Sequence, residues 1–280
     1  MFKRLQKQEN GSDSSSSEDD SKITKKPTKV LILSSRGINH RQRHLLLDLV
    51  NLLPHSKKDS KFDSKNNIQE LNQLAEMNNS DYVLYLEIRK RDDCYMWISK
   101  TPQGPSAKFL VFNVHTLDEL NMTGNCIKGT RAILSFDSTF DSEPHWTVCK
   151  DLLQNAFGTS ENHRKSKPYF DHIFQFSIAD NRIWFRNYQI VEKQVDNDTQ
   201  VSLVEIGPRF VLDLIRIFEG SFKGSTLFQN EQFVSPNTIR SMQKEKYASK
   251  YKNRANANEE RQERIKEAVL PENELDHVFD

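Results

Sequence analysis

Two short stretches of the sequence resemble each other and decide how the chain is organised. Residues 205–212 have the sequence EIGPRFVL, and residues 104–109 have the sequence GPSAKF. In each stretch a Gly-Pro pair precedes a basic residue and a phenylalanine, and an apolar run follows. Because Gly-Pro marks a turn, both stretches predict a strand entered through a turn. The repetition indicates that two parts of the chain share one fold.

The part of the chain around residues 104–109 alternates between helix and strand patterns. An aliphatic run at 30–33 predicts a buried strand, and residues 39–53 predict a helix that Asn39 caps. A second helix is predicted at 68–77, and Pro144 opens a third that ends at Gly158, with Cys149 on its apolar stripe. Further strands are predicted at 82–88, 95–99, 109–114 and 132–136.

The part of the chain around residues 205–212 is richer in strands. After a basic, polar linker at 162–167, strand-like runs occupy 173–178, 183–188, 201–206 and 210–218. The mixture predicts an α/β or α+β fold in two unequal halves, at about 29–160 and 168–235.

Both ends of the chain differ in composition from this folded region. Residues 1–28 form an acidic, serine-rich tail that we expect to be disordered. Residues 236–280 predict a C-terminal helical extension, with one helix from about Asn237 to Ala268 that projects from the domain. Between residues 240 and 254 it holds six basic residues and one acidic residue; between 259 and 280 it holds eight acidic and three basic.

Bulk properties exclude several classes of function. The net charge is +1, so an argument for nucleic acid depends on where the basic residues lie. The three cysteines are far apart, which excludes a Cys-x-x-Cys motif and favours a reducing compartment. The sequence shows no signal peptide and no apolar run long enough to span a bilayer, so no membrane partner is expected.

The sequence contains no convincing catalytic motif, which predicts that the protein is not an enzyme. Residues 124–130 superficially resemble a phosphate-binding loop, but Lys128 precedes the second glycine instead of following it. His40 and His44 are four apart without the glutamate of a metalloprotease helix. We therefore expect no catalytic residue, no metal and no cofactor.

Clusters of basic residues are the better indication of function. Arg36, Arg41 and Arg43 flank a predicted helix N-terminus, where free backbone N–H groups favour an anion. A surface without a function would carry such a cluster of arginines about as often as an anion-binding site would. Arg209, which follows a Gly-Pro pair, is a further candidate for RNA binding, but it could equally hold the two halves together through a carboxylate. The candidate RNA-binding residues are Arg36, Arg41, Arg43, His44, Lys57, Lys58, Lys100, Lys108, Arg209, Lys246 and Lys250.

Six stretches, in this order along the chain, carry a family resemblance. They are ILSSRGI at 32–38, WISKTPQGPS at 97–106, FLVFNVHT at 109–116, MTGNCIKG at 122–129, DNRIWFRNYQ at 180–189 and EIGPRFVL at 205–212. With these stretches, residues 29–235 resemble a Brix domain over nearly their whole length. The stretch 122–129 resembles one branch of the family, which acts in large-subunit biogenesis, more than the branches that serve the small subunit or other large-subunit steps.

The resemblance implies a fold and a function. It implies two related α/β halves, each resembling an anticodon-binding domain, and a non-enzymatic nucleolar factor. Such a factor would bind ribosomal RNA, other pre-60S assembly factors and ribosomal proteins during biogenesis of the large (60S) subunit. Two alternatives stay open: a scaffold that contacts protein only, and an RNA-processing enzyme.

Overall fold

The computed structural model of the chain describes residues 28–63, 67–119, 122–161, 163–195 and 198–268. Eleven strands in these residues form one mixed sheet: β1 (Val30–Ser34), β2 (Ser56–Lys58), β3 (Tyr82–Arg89), β4 (Asp93–Lys100), β5 (Ser106–His115), β6 (Arg131–Phe136), β7 (Phe170–Ala179), β8 (Arg182–Val195), β9 (Asp198–Glu205), β10 (Arg209–Phe218) and β11 (Thr226–Gln229). The helices are α1 (His40–Leu52), α2 (Glu70–Met77), α3 (Pro144–Phe157) and α4 (Pro236–Glu267). The predicted tail lies outside the described residues, apart from Thr28.

The sheet contains the same strand arrangement twice. Its central path runs β2-β1-β3-β4-β5-β10-β8-β7-β6. In the first repeat β1 is parallel to β3, and β3, β4 and β5 are antiparallel neighbours. In the second repeat β6 is parallel to β7, and β7, β8 and β10 are antiparallel neighbours. The α/β class and the duplication predicted from the Gly-Pro stretches are therefore present in the structure.

The two repeats join through β5 and β10, the strands that follow the Gly-Pro pairs. Phe112 lies opposite Val211 in this antiparallel pair, and Val111 lies opposite Leu212. Gly104 has a φ of +97°, and a Cβ atom there would lie 2.3 Å from the Glu219 carbonyl oxygen. Only glycine lets the backbone of the first repeat approach the second this closely.

The boundary between the repeats differs from the predicted division at 162–167. Strand β6 and helix α3 precede that linker, yet β6 pairs with β7 and corresponds to β1 in the topology. The repeats therefore divide between β5 and β6. A polar linker was a misleading guide, because the α3–β7 connection is an ordinary surface loop within one repeat.

Two hydrophobic clusters lie on opposite faces of the sheet. The larger contains α1, α3 and the inward residues of both repeats, among them Leu45, Leu49, Phe109, Phe157 and Phe185. Helix α3 packs against β3, β4 and β5 as well as β6, so it belongs to the second repeat and covers the first. Cys149 is buried in this cluster, as predicted. The smaller cluster lies under α2 on the other face.

The C-terminal helix α4 is present, as the sequence predicts. The Ser235 hydroxyl accepts a hydrogen bond from the Thr238 N–H at 3.2 Å and caps the helix, which Pro236 begins. None of its described side chains is buried. A helix of 32 residues is about 48 Å long, so α4 extends well beyond the sheet.

Candidate nucleic-acid interface

The N-terminus of α1 presents the first group of predicted RNA-binding residues. Arg36 lies in the turn between β1 and α1, and Arg41 and Arg43 lie in the first turns of the helix, all three exposed. The Gln42 side chain accepts a hydrogen bond from the Asn39 N–H at 3.2 Å and fixes the start of the helix. The arginines are thus held on a rigid element at one end of β1.

Most of these cations have a carboxylate neighbour. Arg36 lies 3.2 Å from Asp63, Arg41 lies 2.7 Å from Glu119, and the His44 ring lies 2.6 Å from Asp118. Burial raises the pKa of Glu119, but the Arg41 guanidinium, together with a backbone hydrogen bond at Thr116 and the nearby His115, lowers that pKa overall. Such exposed pairs contribute little stability, so a phosphate can replace the carboxylate at small cost.

The turn between β3 and β4 connects this group to α4. The Gln42 amide donates to the Asp92 carbonyl oxygen at 3.2 Å. From the other side, Arg240 donates to both carboxylate oxygens of Asp93, at 2.9 and 2.6 Å. Lys90 donates to the Asn237 side chain at 2.6 Å. The structure therefore brings the beginnings of α1 and α4 together, a proximity that the sequence did not reveal.

The basic half of α4 continues the charged surface. Its cations are exposed: Lys244, Lys246, Lys250, Lys252 and Arg254. Within the described part of the chain, none of the five has a carboxylate oxygen within 4 Å, whereas Arg264 further along pairs with Glu260. Tyr247 and Tyr251 are 71% and 75% exposed on the same segment. This half of α4 carries uncompensated positive charge beside exposed aromatic rings.

Three predicted lysines lie apart from this surface. Lys57 and Lys58 are on the edge strand β2, where the Lys57 ammonium donates to the Asn78 side chain at 2.6 Å. Lys100 ends β4 opposite Tyr82, which begins β3, so it lies at the other end of the sheet from Arg36. Among the described residues, no contact joins these lysines to α1 and α4 in one continuous site.

Lys108 and Arg209, the other sheet candidates, both have internal carboxylate partners. The Lys108 side chain is only 14% exposed, lies 3.4 Å from Glu87, and sits over the Tyr95 and Trp97 rings. Burial lowers its pKa. Lys108 therefore stabilises the sheet and is poorly placed to reach a phosphate. Arg209 lies 3.3 Å from Glu205, a residue of the same repeat, and does not bridge the two repeats through this contact.

One hydrogen-bonded group has the composition of a catalytic triad. The Thr130 hydroxyl donates to Asp171 at 2.5 Å, and the same carboxylate oxygen lies 2.5 Å from Nδ1 of His172. Burial raises the pKa of Asp171, but these bonds and one from the Ile127 N–H lower it overall. His172 is 1% exposed, so a substrate cannot reach it. The group fastens the 122–130 loop to β7.

In the described residues, no group of three or more His, Cys, Asp or Glu side chains could hold a metal ion. No helix among them is long and apolar enough to cross a membrane.

Comparison with known proteins identifies the class to which this fold belongs. The Brix domain pattern matches residues 35–216, so the chain belongs to the Brix family. The chain is 51% identical over 251 residues to "Ribosome biogenesis protein brx1" of Schizosaccharomyces pombe, covering 90% of this chain and 85% of that protein. It is 50% identical over 248 residues to the Saccharomyces cerevisiae protein BRX1, with 86% and 85% covered. The human BRX1 homolog is 49% identical over 257 residues, with 91% and 71% covered.

Proposed function

We propose that this chain is a non-enzymatic ribosome assembly factor that binds ribosomal RNA and partner proteins in the nucleolus. Three relatives about half identical to it are named ribosome biogenesis proteins. The resemblance of residues 122–129 to large-subunit members of the family supports a role in 60S biogenesis. Its partners would be other pre-60S assembly factors and ribosomal proteins, with no membrane and no cofactor.

The observation that supports RNA binding is the convergence of two basic groups at the β3–β4 turn. Arg36, Arg41 and Arg43 lie at the N-terminus of α1, and the lysines of α4 continue from the point where Arg240 is anchored on Asp93. Phosphates on one RNA segment could contact both. Contacts of this kind give affinity and position without reading the base sequence.

The exposed tyrosines of α4 add a second kind of contact. Tyr247 and Tyr251 are four residues apart and lie beside Lys246 and Lys250. Unpaired bases stack on aromatic side chains, and the neighbouring ammonium groups would hold the phosphates. We therefore propose that the preferred RNA is single-stranded where it crosses α4.

Salt-dependent binding by the full chain tests this proposal. Fluorescence anisotropy with single-stranded ribosomal RNA fragments gives the affinity at several salt concentrations. For single strands the log–log slope is about −0.7 per phosphate neutralised. The triple variant Lys246→Ala, Lys250→Ala, Lys252→Ala should therefore flatten the slope by about 2. The variant Arg36→Ala, Arg41→Ala, Arg43→Ala should also flatten it.

A matched control removes the same charge elsewhere. Arg164, Lys165 and Lys167 are exposed in the α3–β7 connection, where the Lys167 N–H donates to the Gly129 carbonyl oxygen. The neighbouring His163 ring lies 6.3 Å from that of His55, whose carbonyl oxygen accepts a hydrogen bond from the first residue of β1, at the end of β1 away from the β3–β4 turn. Replacement of the three cations by alanine should leave the slope nearly unchanged. If all three variants behave alike, the effect is one of net charge and the proposed surface is not the binding site.

Two alternative functions give different results. A scaffold that contacts protein only would give no direct ultraviolet crosslinks to RNA, and the paired arginines of α1 are the observation that favours it. An RNA-processing enzyme would change the length or the bases of bound RNA on incubation. Crosslinks at α4 together with unaltered RNA are the result expected from the proposed function.

A further inference from the structure

The two repeats differ in what covers the face of the sheet opposite α1 and α3, here called the outer face. In the first repeat Leu31, Leu33, Val83 and Tyr85 point to the outer face, and each is 0% exposed. In the second repeat Ile133 of β6, the strand equivalent to β1, is 42% exposed. Its outer-face neighbours on β7 and β8 are only half-buried.

Helix α2 accounts for this difference. It lies in the connection between α1 and β3 and places Leu71 and Ala75, four residues apart, on the outer face of the first repeat. The equivalent connection of the second repeat joins α3 to β7. Its described residues, 158–161 and 163–169, contain no helix. The second repeat therefore has the apolar face without the helix that covers it in the first.

The uncovered residues form a continuous stripe. The strand register places Ile133 beside Ile173, Ile173 beside Tyr188, and Ile190 beside Leu203. Leu203 is 50% exposed and Val201, two residues earlier on β9, is 62% exposed. The outer stripe is defined by Ile133, Ile173, Tyr188, Ile190, Val201 and Leu203. A row of large apolar side chains of this extent marks an interaction surface.

The charges around the stripe favour protein over RNA. Arg186 lies 3.2 Å from Glu205, and Arg182 lies 3.8 Å from Asp213. Each of these arginines is thus compensated by a carboxylate on a neighbouring strand of the sheet, and the surface offers little attraction to phosphates. This contrasts with the lysines of α4.

We propose that the outer stripe binds an amphipathic helix of a partner protein, in the position that α2 occupies on the first repeat. The helix would present apolar residues three and four apart, as α2 presents Leu71 and Ala75. Polar residues at the stripe's margin, Gln175 and Ser177, would contact the edge of that helix. This proposal rests on the assembly function proposed above and identifies the surface through which the chain would bind a partner protein.

Site-specific crosslinking in assembled particles tests the occupant. Val201 is replaced by photoreactive benzoylphenylalanine in the full chain, and pre-ribosomal particles carrying it are irradiated and analysed by mass spectrometry. The expected product joins position 201 to a peptide of another protein with apolar residues three and four apart. The same probe at Leu227, which is 58% exposed on β11, should not give that peptide. Crosslinks to RNA, to a second copy of this chain, to a peptide without that spacing, or to nothing overturn the proposal.

The affinity of the full chain for a synthetic copy of the crosslinked peptide tests the proposed site quantitatively. Leu203→Asp should weaken the affinity of the synthetic peptide by at least about tenfold, because it puts a charge into the apolar contact. Leu227→Asp, a matched change at a leucine of similar exposure, should change that affinity by less than about twofold. Equal affinities in both variants refute the proposed site. RNA affinity should be unchanged in Leu203→Asp, so failure of this proposal leaves the RNA proposal standing, and the reverse also holds.

Discussion

We expect His55, which joins the two repeats, to make the folding stability of the chain depend on pH. It follows α1 and is 2% exposed. Its Nε2 lies 3.1 Å from the Ala156 carbonyl oxygen, which can only accept, so Nε2 carries the proton. Its Nδ1 lies 2.9 Å from the Thr159 hydroxyl, just after α3. The neutral ring thus connects the first repeat to the end of the helix that belongs to the second.

Burial lowers the pKa of His55 to about 4, against an ordinary value of 6.5. Below pH 6.5 the unfolded chain binds a proton that the folded chain rejects, so stability falls as the pH falls from 6.5 toward 4. From these two values, the contribution lost between pH 8 and pH 5 is about 2 kcal/mol. Above pH 7 the contribution is fully present.

Urea denaturation of the full chain at pH 8 and pH 5 measures this loss. In His55→Gln the amide can still donate to Ala156 but does not titrate, so the decrease in unfolding free energy should be smaller by about 2 kcal/mol than in the original chain. If His55→Gln and the original chain lose the same stability at pH 5, His55 does not link folding to pH and the reasoning fails.

Three further predictions concern single elements of the fold and the interface. Gly104→Ala should lower the unfolding free energy by more than about 2 kcal/mol, because the new Cβ would overlap the Glu219 carbonyl oxygen. Gly37→Ala is the control, since a Cβ there meets no atom within 4 Å, and it should lower the unfolding free energy by about 1 kcal/mol. Urea titration measures both. Lys108→Met should destabilise the chain by about 1–3 kcal/mol because Glu87 loses a partner, yet leave RNA affinity within about twofold. A chain ending at Pro236 should fold, with a lower urea midpoint because the largely buried Asp93 loses Arg240, and should bind RNA more weakly; equal affinity would show α4 to be a passive extension.

Most elements could be predicted because their patterns are local. The alternation at 82–88 and 95–99 corresponds to β3 and β4, and the apolar stripe after Pro144 corresponds to α3. Strands β2 and β11 were missed, because each has four residues or fewer and β2 is a polar edge strand. Their pairing depends on β1 and β10, which no local pattern specifies.

The candidate site could be predicted only in part, since proximity and pairing arise from the tertiary fold. The sequence pointed to the basic residues of α1 and α4 separately, but their junction depends on Lys90 and Asp93, which look like ordinary turn residues. It also could not show that Lys108 is held by Glu87, a residue on a strand two positions away in the sheet. A basic residue within an alternating apolar strand was the available signal for such burial.

The distribution of carboxylates separates the two proposed surfaces physically. On the second repeat, Arg182 and Arg186 face Asp213 and Glu205, which the sheet holds in register. A phosphate there would have to displace a carboxylate that cannot move away. On α4, helix geometry points the lysines into solvent, and the described chain brings no carboxylate to them. Counterion release can therefore favour RNA on α4, while the neutral outer stripe of the second repeat gains more from covering apolar side chains with protein. A duplicated fold with one bare repeat can in this way hold an RNA and a protein partner at different places.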